Sequence, residues 1–195
     1  MTNDISDAKA KLRKQLRAAR REHVAAQPDA IRGLLFKQPP RPLLDLIPDG
    51  AVIGLYHAAA DEAPAGAYAR AFSEAGHTIA LPRFADEQSP MEFALHTDPF
   101  GESHLTAGAF GIMEPPTDAE SAIPQVLFIP LLGFTDRGER LGQGGGHYDR
   151  WLTGHPDTLA IGMAWDCQLA KTLPTQPHDQ RLSAIVTPTR LYGPF

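Results

Sequence analysis

Apolar positions recur along this chain with two different periods. Leu12, Leu16, Ala19 and Val24 fall at roughly helical spacing. Ser6 or Asp7 suits the N-cap, and Gln27-Pro28 supplies a stop, so the pattern predicts a helix from there to about Ala26. Gln38-Pro39-Pro40-Arg41-Pro42 reads as a stiff loop. Strands are predicted over 51–56, 77–82 and 91–96, the last alternating only weakly, and again over 126–132, 159–164 and 184–187. Between the first two, 64–75 reads as a helix, with Pro64 tolerated in its first turn and Gly76 at its end. The stretch 106–116 reads as irregular. Apolar runs separated by helical segments predict an α/β fold: a single domain over 1–195, with a largely parallel twisted sheet between helical layers in a Rossmann-like three-layer arrangement.

The hydrophobic share of 43% and charged share of 21% are those of a globular protein, and 195 residues suffice for one sizeable core. A net charge of -5 disfavours polyanions over the surface as a whole. One cysteine, Cys167, excludes an intramolecular disulfide, and no apolar run is long enough to span a membrane. Cytoplasm is the expected compartment and a monomer the expected state, with neither nucleic acid nor membrane as partner. The charge is unevenly placed. Seven of the 18 basic residues (Lys9, Lys11, Arg13, Lys14, Arg17, Arg20, Arg21) lie in the first predicted helix. Charge alone favours a solvated face, with an anion-binding or nucleic-acid-binding helix as the alternative.

The run Arg140-Leu141-Gly142-Gln143-Gly144-Gly145-Gly146-His147-Tyr148-Asp149-Arg150 carries the most chemistry. It follows the buried run 126–132 and precedes a segment able to start a helix near Tyr148. A glycine-rich turn before a helix N-terminus lets backbone N–H groups approach an anion closely, and Arg140 adds a planar cationic fork. The run is neither a P-loop nor a dinucleotide fingerprint, and its glycines alone are equally compatible with a tight turn. Lys9 and Arg13, four residues apart, share a helical face and can reach one polyphosphate. Glu62 follows the first predicted strand, where ligands collect in open α/β sheets; taken alone it reads first as a carboxylate favouring a helix N-terminus. Asp149 and Asp179 are candidate Mg²⁺ ligands, with an N-cap and a turn residue as the alternatives.

These residues resemble the 5-formyltetrahydrofolate cyclo-ligase family. The likeness covers nearly the whole chain and is strongest from Pro130 to Arg150, in order and spacing. Lys9 and Arg13, Glu62, Gly111-Ile112-Met113-Glu114-Pro115, Gln168, Leu173-Pro174 and His178-Asp179 support it on both sides. The resemblance implies an enzyme using ATP and Mg²⁺ to cyclise 5-formyltetrahydrofolate to 5,10-methenyltetrahydrofolate, releasing ADP and phosphate. Phosphorylation of the formyl oxygen makes it a leaving group, and the neighbouring N10 amine attacks; no covalent enzyme nucleophile is required. It further implies ATP binding by Lys9, Arg13, Arg140, Gly142, Gly144, Gly145, Gly146, His147 and Tyr148. Folate binding falls to His57, Glu62, Gly144, Gly145, Gly146, His147 and Tyr148, and metal binding to Asp149 and Asp179. Three departures stand out. His147 occupies a position usually held by tyrosine, Gln143 and Gly145 stand where some members carry basic residues, and Thr135 replaces an aspartate or is inserted before Asp136. His147 also motivates a second reading, an ATP-binding family member with another substrate.

Overall fold

The long apolar runs become adjacent strands. The computed structural model describes residues 2–32, 34–101 and 103–195. Its helices are α1 (Thr2–Ala25), α2 (Asp29–Arg32), α3 (Arg41–Leu44), α4 (Gly66–Glu74) and α5 (His147–Gly154), with a 3₁₀ turn at Asp166–Gln168. The strands are β1 (Val52–Gly54), β2 (Thr78–Arg83), β3 (Glu92–Leu95), β4 (Thr106–Ala107), β5 (Met113–Glu114), β6 (Val126–Pro130), β7 (Gly133–Phe134), β8 (Arg140–Leu141), β9 (Leu159–Met163), β10 (Ala184–Val186) and β11 (Leu191–Tyr192). Seven of them form one sheet in the order β11-β10-β9-β6-β1-β2-β3. The five central strands are parallel, and the edge strands β3 and β11 pair antiparallel.

Alternation along the strands sends successive side chains to opposite faces. Ile53, Ile79, Val126, Phe128, Ile161 and Val186 pack on one side, with Val24 of α1, Leu43 of α3 and Tyr68 and Phe72 of α4. Ala80, Phe93, Leu127, Ile129, Ala160 and Ile185 pack on the other, with Trp151 and Leu152 of α5. Two cores on one sheet give the expected three layers. Tyr68, Phe72 and Phe128 meet with ring centroids 5.5–5.9 Å apart, each contact adding about 0.5–1.5 kcal/mol to simple burial.

Several elements differ from the pattern-based reading. The helix expected over 64–75 starts at Gly66, since the preceding segment is tied down by the Tyr56 hydroxyl donating to the Ala63 carbonyl. The stretch 106–116, expected to be irregular, contains the β4–β5 pair. A second small pair, β7–β8, lies inside the segment leading to the glycines. No described helix is long and apolar enough to cross a membrane.

Candidate active site

Chain order sets where a cavity forms. From β1 the chain moves outward to β2 and β3, then crosses back to β6 on the other side of β1 and continues to β9 and β10. Connections therefore leave the carboxyl ends of β1 and β6 in opposite directions, which opens a crevice there. A cavity of about 760 Å³ occupies it, lined by His57 and Glu62 beyond β1, Pro82 and Phe84 at the end of β2, and Pro130 at the end of β6. That volume is ordinary for a small-molecule site.

One end of the cavity is cationic and glycine-lined. Gly144 and Gly146 have φ of 119° and 65°, conformations that residues with a Cβ rarely adopt. A Cβ on Gly145 would lie 2.5 Å from the His147 ring. Gly146 is the N-cap of α5 and offers no side chain to cap it. The first-turn amides of α5 are thus unsatisfied by the helix itself and suited to an anion. Arg140, on β8, is 8% exposed. Its Nη2 donates to Asp149 Oδ1 at 2.7 Å, while its buried Nε has no partner among the described residues. Arg13 donates from Nε to the Gly142 carbonyl at 3.0 Å. Lys9 is buried and donates from Nζ to both Asp179 oxygens, at 2.6 and 2.8 Å, and to Gln176 Oε1 at 2.9 Å.

Aromatic rings adjoin the glycine run. Phe84, Phe110 and His147 meet edge to face, with centroids 4.8–5.5 Å apart. Arg150 donates from Nη2 to His147 Nδ1 at 3.1 Å, so Nδ1 is the acceptor and the proton of the neutral ring sits on Nε2. Burial, then the Arg150 charge, lowers the His147 pKa below its usual 6.5. Glu62 lines the same cavity. It accepts from the Ala59 amide at 3.0 Å and from Gln143 Nε2 at 3.3 Å. Burial and then the Glu62 charge raise the Tyr148 hydroxyl well above its ordinary value, and Tyr56 is raised for the same two leading reasons. Both phenols therefore remain neutral around neutral pH.

Every predicted site residue (Lys9, Arg13, His57, Glu62, Arg140, Gly142, Gly144, Gly145, Gly146, His147, Tyr148, Asp149 and Asp179) lines this one cavity. Their partners are less simple than the spacing suggested. Asp149 is held by Arg140 and by the Gln180 amide, and Asp179 by Lys9 and the Gln176 amide. No three described His, Cys, Asp or Glu residues converge as a chelating group. Carboxylate oxygens are the donors a hard cation such as Mg²⁺ takes, but both of these are already ion-paired, Asp149 with Arg140 and Asp179 with Lys9.

Sequence reasoning passed over Arg20. It is 2% exposed and grips both Asp61 oxygens from Nε and Nη2, at 3.2 and 3.1 Å. Its Nη1 donates to the Leu131 carbonyl at 3.3 Å and lies 3.7 Å from Glu62. The available signal was its place on the Lys9-Arg13-Arg17 side of α1. That side faces the cavity, while Lys11, Lys14 and Arg21 remain exposed. The aromatic pair Phe84 and Phe110 carried no periodic signal.

A switch-point crevice with a glycine cradle and buried cations defines a class: an α/β protein with a small-molecule site suited to an anionic group. The model of the 5-formyltetrahydrofolate cyclo-ligase family matches residues 5–188, and the chain belongs to that family. It is 40% identical over 97 residues to the 5-formyltetrahydrofolate cyclo-ligase of Escherichia coli, an alignment covering 47% of this chain and 53% of that relative. The chain thus spans about half that relative's length. Among solved structures it resembles the 5,10-methenyltetrahydrofolate synthetase of Aquifex aeolicus, with TM-score 0.75, 23% identity and coverage of 96% and 93% of the two chains. A synthetase from Mycoplasma pneumoniae gives TM-score 0.66, 20% identity and coverage of 91% and 96%. At such identities the likeness is one of fold.

Proposed function

We propose that this protein cyclises 5-formyltetrahydrofolate to 5,10-methenyltetrahydrofolate at the expense of ATP, releasing ADP and phosphate. The observation that carries this reading is a single cavity whose lining combines the glycine run, Lys9, Arg13 and Arg140 with Phe84, Phe110 and Glu62. ATP supplies a phosphoryl group that turns the formyl oxygen into a leaving group. The remaining work is positional. Lys9, Arg13, Arg140, Gly142 and the amides of Gly144, Gly145 and Gly146 hold phosphates, with His147 and Tyr148 bordering both ligands. Arg140 is the strongest candidate, because its buried Nε lacks a partner and a charge-assisted hydrogen bond contributes about 1.5–3 kcal/mol. Glu62 accepts hydrogen bonds from N–H groups of the folate, beside His57, the glycine run and the neutral Tyr148 hydroxyl. Asp149 and Asp179 would hold a phosphate-borne Mg²⁺, whose charge offsets that of the transferring group. Enclosing both reactants in one crevice aligns the attacking amine with the activated carbon, an effect worth about 7–11 kcal/mol when the geometry is right.

The test is direct. Protein, ATP, Mg²⁺ and 5-formyltetrahydrofolate are mixed, and the ultraviolet band of the methenyl product is followed. Product formed only with both ATP and Mg²⁺ supports the reading; no product over hours at micromolar enzyme rejects it. His147 supports one competing reading, a family member with a different substrate. Nucleotide binding without this cyclisation would favour it. A nucleic-acid-binding α1 is weaker, since Lys9, Arg13, Arg17 and Arg20 face inward.

A further inference from the structure

Gln143 carries the one side chain within the run Gly142–Gly146 that extends beyond a hydrogen atom. Glycine backbones lose more freedom on ordering than any other, and the run is restrained by that amide together with Arg13, which donates to the Gly142 carbonyl. Both of its ends are engaged. Arg17 on α1 donates from Nη2 to Gln143 Oε1 at 2.8 Å. Gln143 Nε2 in turn donates to Glu62 Oε1 at 3.3 Å. The two contacts fix which end of the amide is oxygen: the end facing a guanidinium must accept, and the end facing a carboxylate must donate. A basic residue here would have no acceptor for Arg17 and would face it as a like charge.

Glu62 has few other tethers. Its second oxygen accepts from the Ala59 amide, and Arg20 stands 3.7 Å away. Fixing Gln143 therefore narrows the positions open to the carboxylate. An anion on the glycine run orders the backbone that carries Gln143. A heterocycle on Glu62 orders the carboxylate that Gln143 grips. Each ligand removes part of the ordering cost of the other, which is positive cooperativity without a large movement.

We propose that Gln143 is a positioning residue coupling the two halves of the cavity, so that a nucleotide triphosphate and the folate bind more tightly together than apart. This rests on the function proposed above. Linkage requires the effect to be reciprocal.

Calorimetry of the full chain measures the affinity for 5-formyltetrahydrofolate with and without a saturating non-hydrolysable ATP analogue, then the reverse. The wild type is expected to show about fivefold mutual tightening, the low end for coupled sites, as befits exposed contacts. Gln143→Met, which keeps length and removes both hydrogen bonds, should bring the factor to about one while each ligand still binds alone. Arg17→Met should reduce it in the same direction through the other end of the amide, whereas Lys14→Met, on the exposed side of α1, should leave it unchanged. Coupling that persists in Gln143→Met, or independent binding in the wild type, overturns the inference and leaves the proposed function standing. Failure of the wild type to bind either ligand rejects both.

Discussion

Replacing Arg20 by methionine isolates the buried charge on which the substrate end of the site is built. Methionine keeps much of the volume and the apolar stem contact but removes the guanidinium. Asp61 then loses two hydrogen bonds and its buried counter-charge, keeping only the exposed Arg21 at 3.7 Å, and Glu62 loses a cation 3.7 Å away. Leu131 O retains Gln168 Nε2 at 2.6 Å, so the carbonyl is not orphaned. Removing one partner of a buried ion pair costs about 3–5 kcal/mol. The Asp61 side chain keeps 20% of its exposure, and water reaching it places the loss near the lower bound, about 3 kcal/mol. For a chain of this size that lowers Tm by roughly 6–12 °C, at 2–4 °C per kcal/mol. Urea unfolding should show a lower midpoint with an unchanged slope, since the buried surface is the same. Because Asp61 and Arg20 share one network, the further change Asp61→Asn should recover part of the loss, with a coupling of about 0.5–3 kcal/mol. Glu62, freed on one side, should raise the KM for the folate more than that for ATP. A Tm loss under about 2 °C, or a double variant whose losses simply add, would refute the view that Arg20 acts by compensating these two carboxylates.

Three further outcomes are expected. Gly144→Val and Gly146→Val force branched side chains into positive φ, a local strain of about 1–3 kcal/mol that the fold can bear, and should abolish ATP binding; a folded variant with unchanged calorimetric affinity contradicts this. Glu62→Gln should lower kcat/KM for 5-formyltetrahydrofolate while ATP affinity stays near wild type, and an equal loss for both ligands would place Glu62 outside the substrate end. His147 has its pKa lowered by burial, so the folded state binds fewer protons than the unfolded one. Its neutral form is favoured above the ordinary value of 6.5, and stability is lost as pH falls from there through the folded value. His147→Phe keeps the ring contacts and should lose that acid-side slope, so parallel Tm-against-pH curves between pH 8 and 5 would count against it.

The parts of this molecule that could be read from sequence are those whose determinants are local. Runs such as 126–132 and 159–164 are apolar at every position because helices cover both faces of the sheet, and each appears as a parallel strand. Lys9, Arg13, Glu62 and the glycine run could be placed because a family pattern ties them together in order. Elements set by distant partners were opaque. β7 and β8 are two residues each, too short for any period. Arg20 reads as one more charge on a basic helix, since Asp61 lies 41 positions away. The carboxylates Asp149 and Asp179 were legible as site residues, but the engagement of Asp179 with Lys9 was not, because a pairing across 170 positions leaves no trace in spacing; that of Asp149 with Arg140, nine positions away, depends on the turn made by the glycines between them. Phe84, Phe110 and His147 converge from three separate segments, and nothing in the sequence links them.

The docking of α1 also dictates when the crevice can be completed. Its inward rungs reach partners spread over most of the chain: Asp61, Gly142, Gln143 and Asp179. The helix is strongly polar, and an isolated helix of this kind has little to hold it in water. A segment made early is thus among the last to find its place, since Lys9 must wait for a residue made 170 positions later. Until then the sheet can assemble around its own apolar runs. Closing so long a loop is a single, late entropic step. Competence to bind ligand should therefore mature after the core has formed.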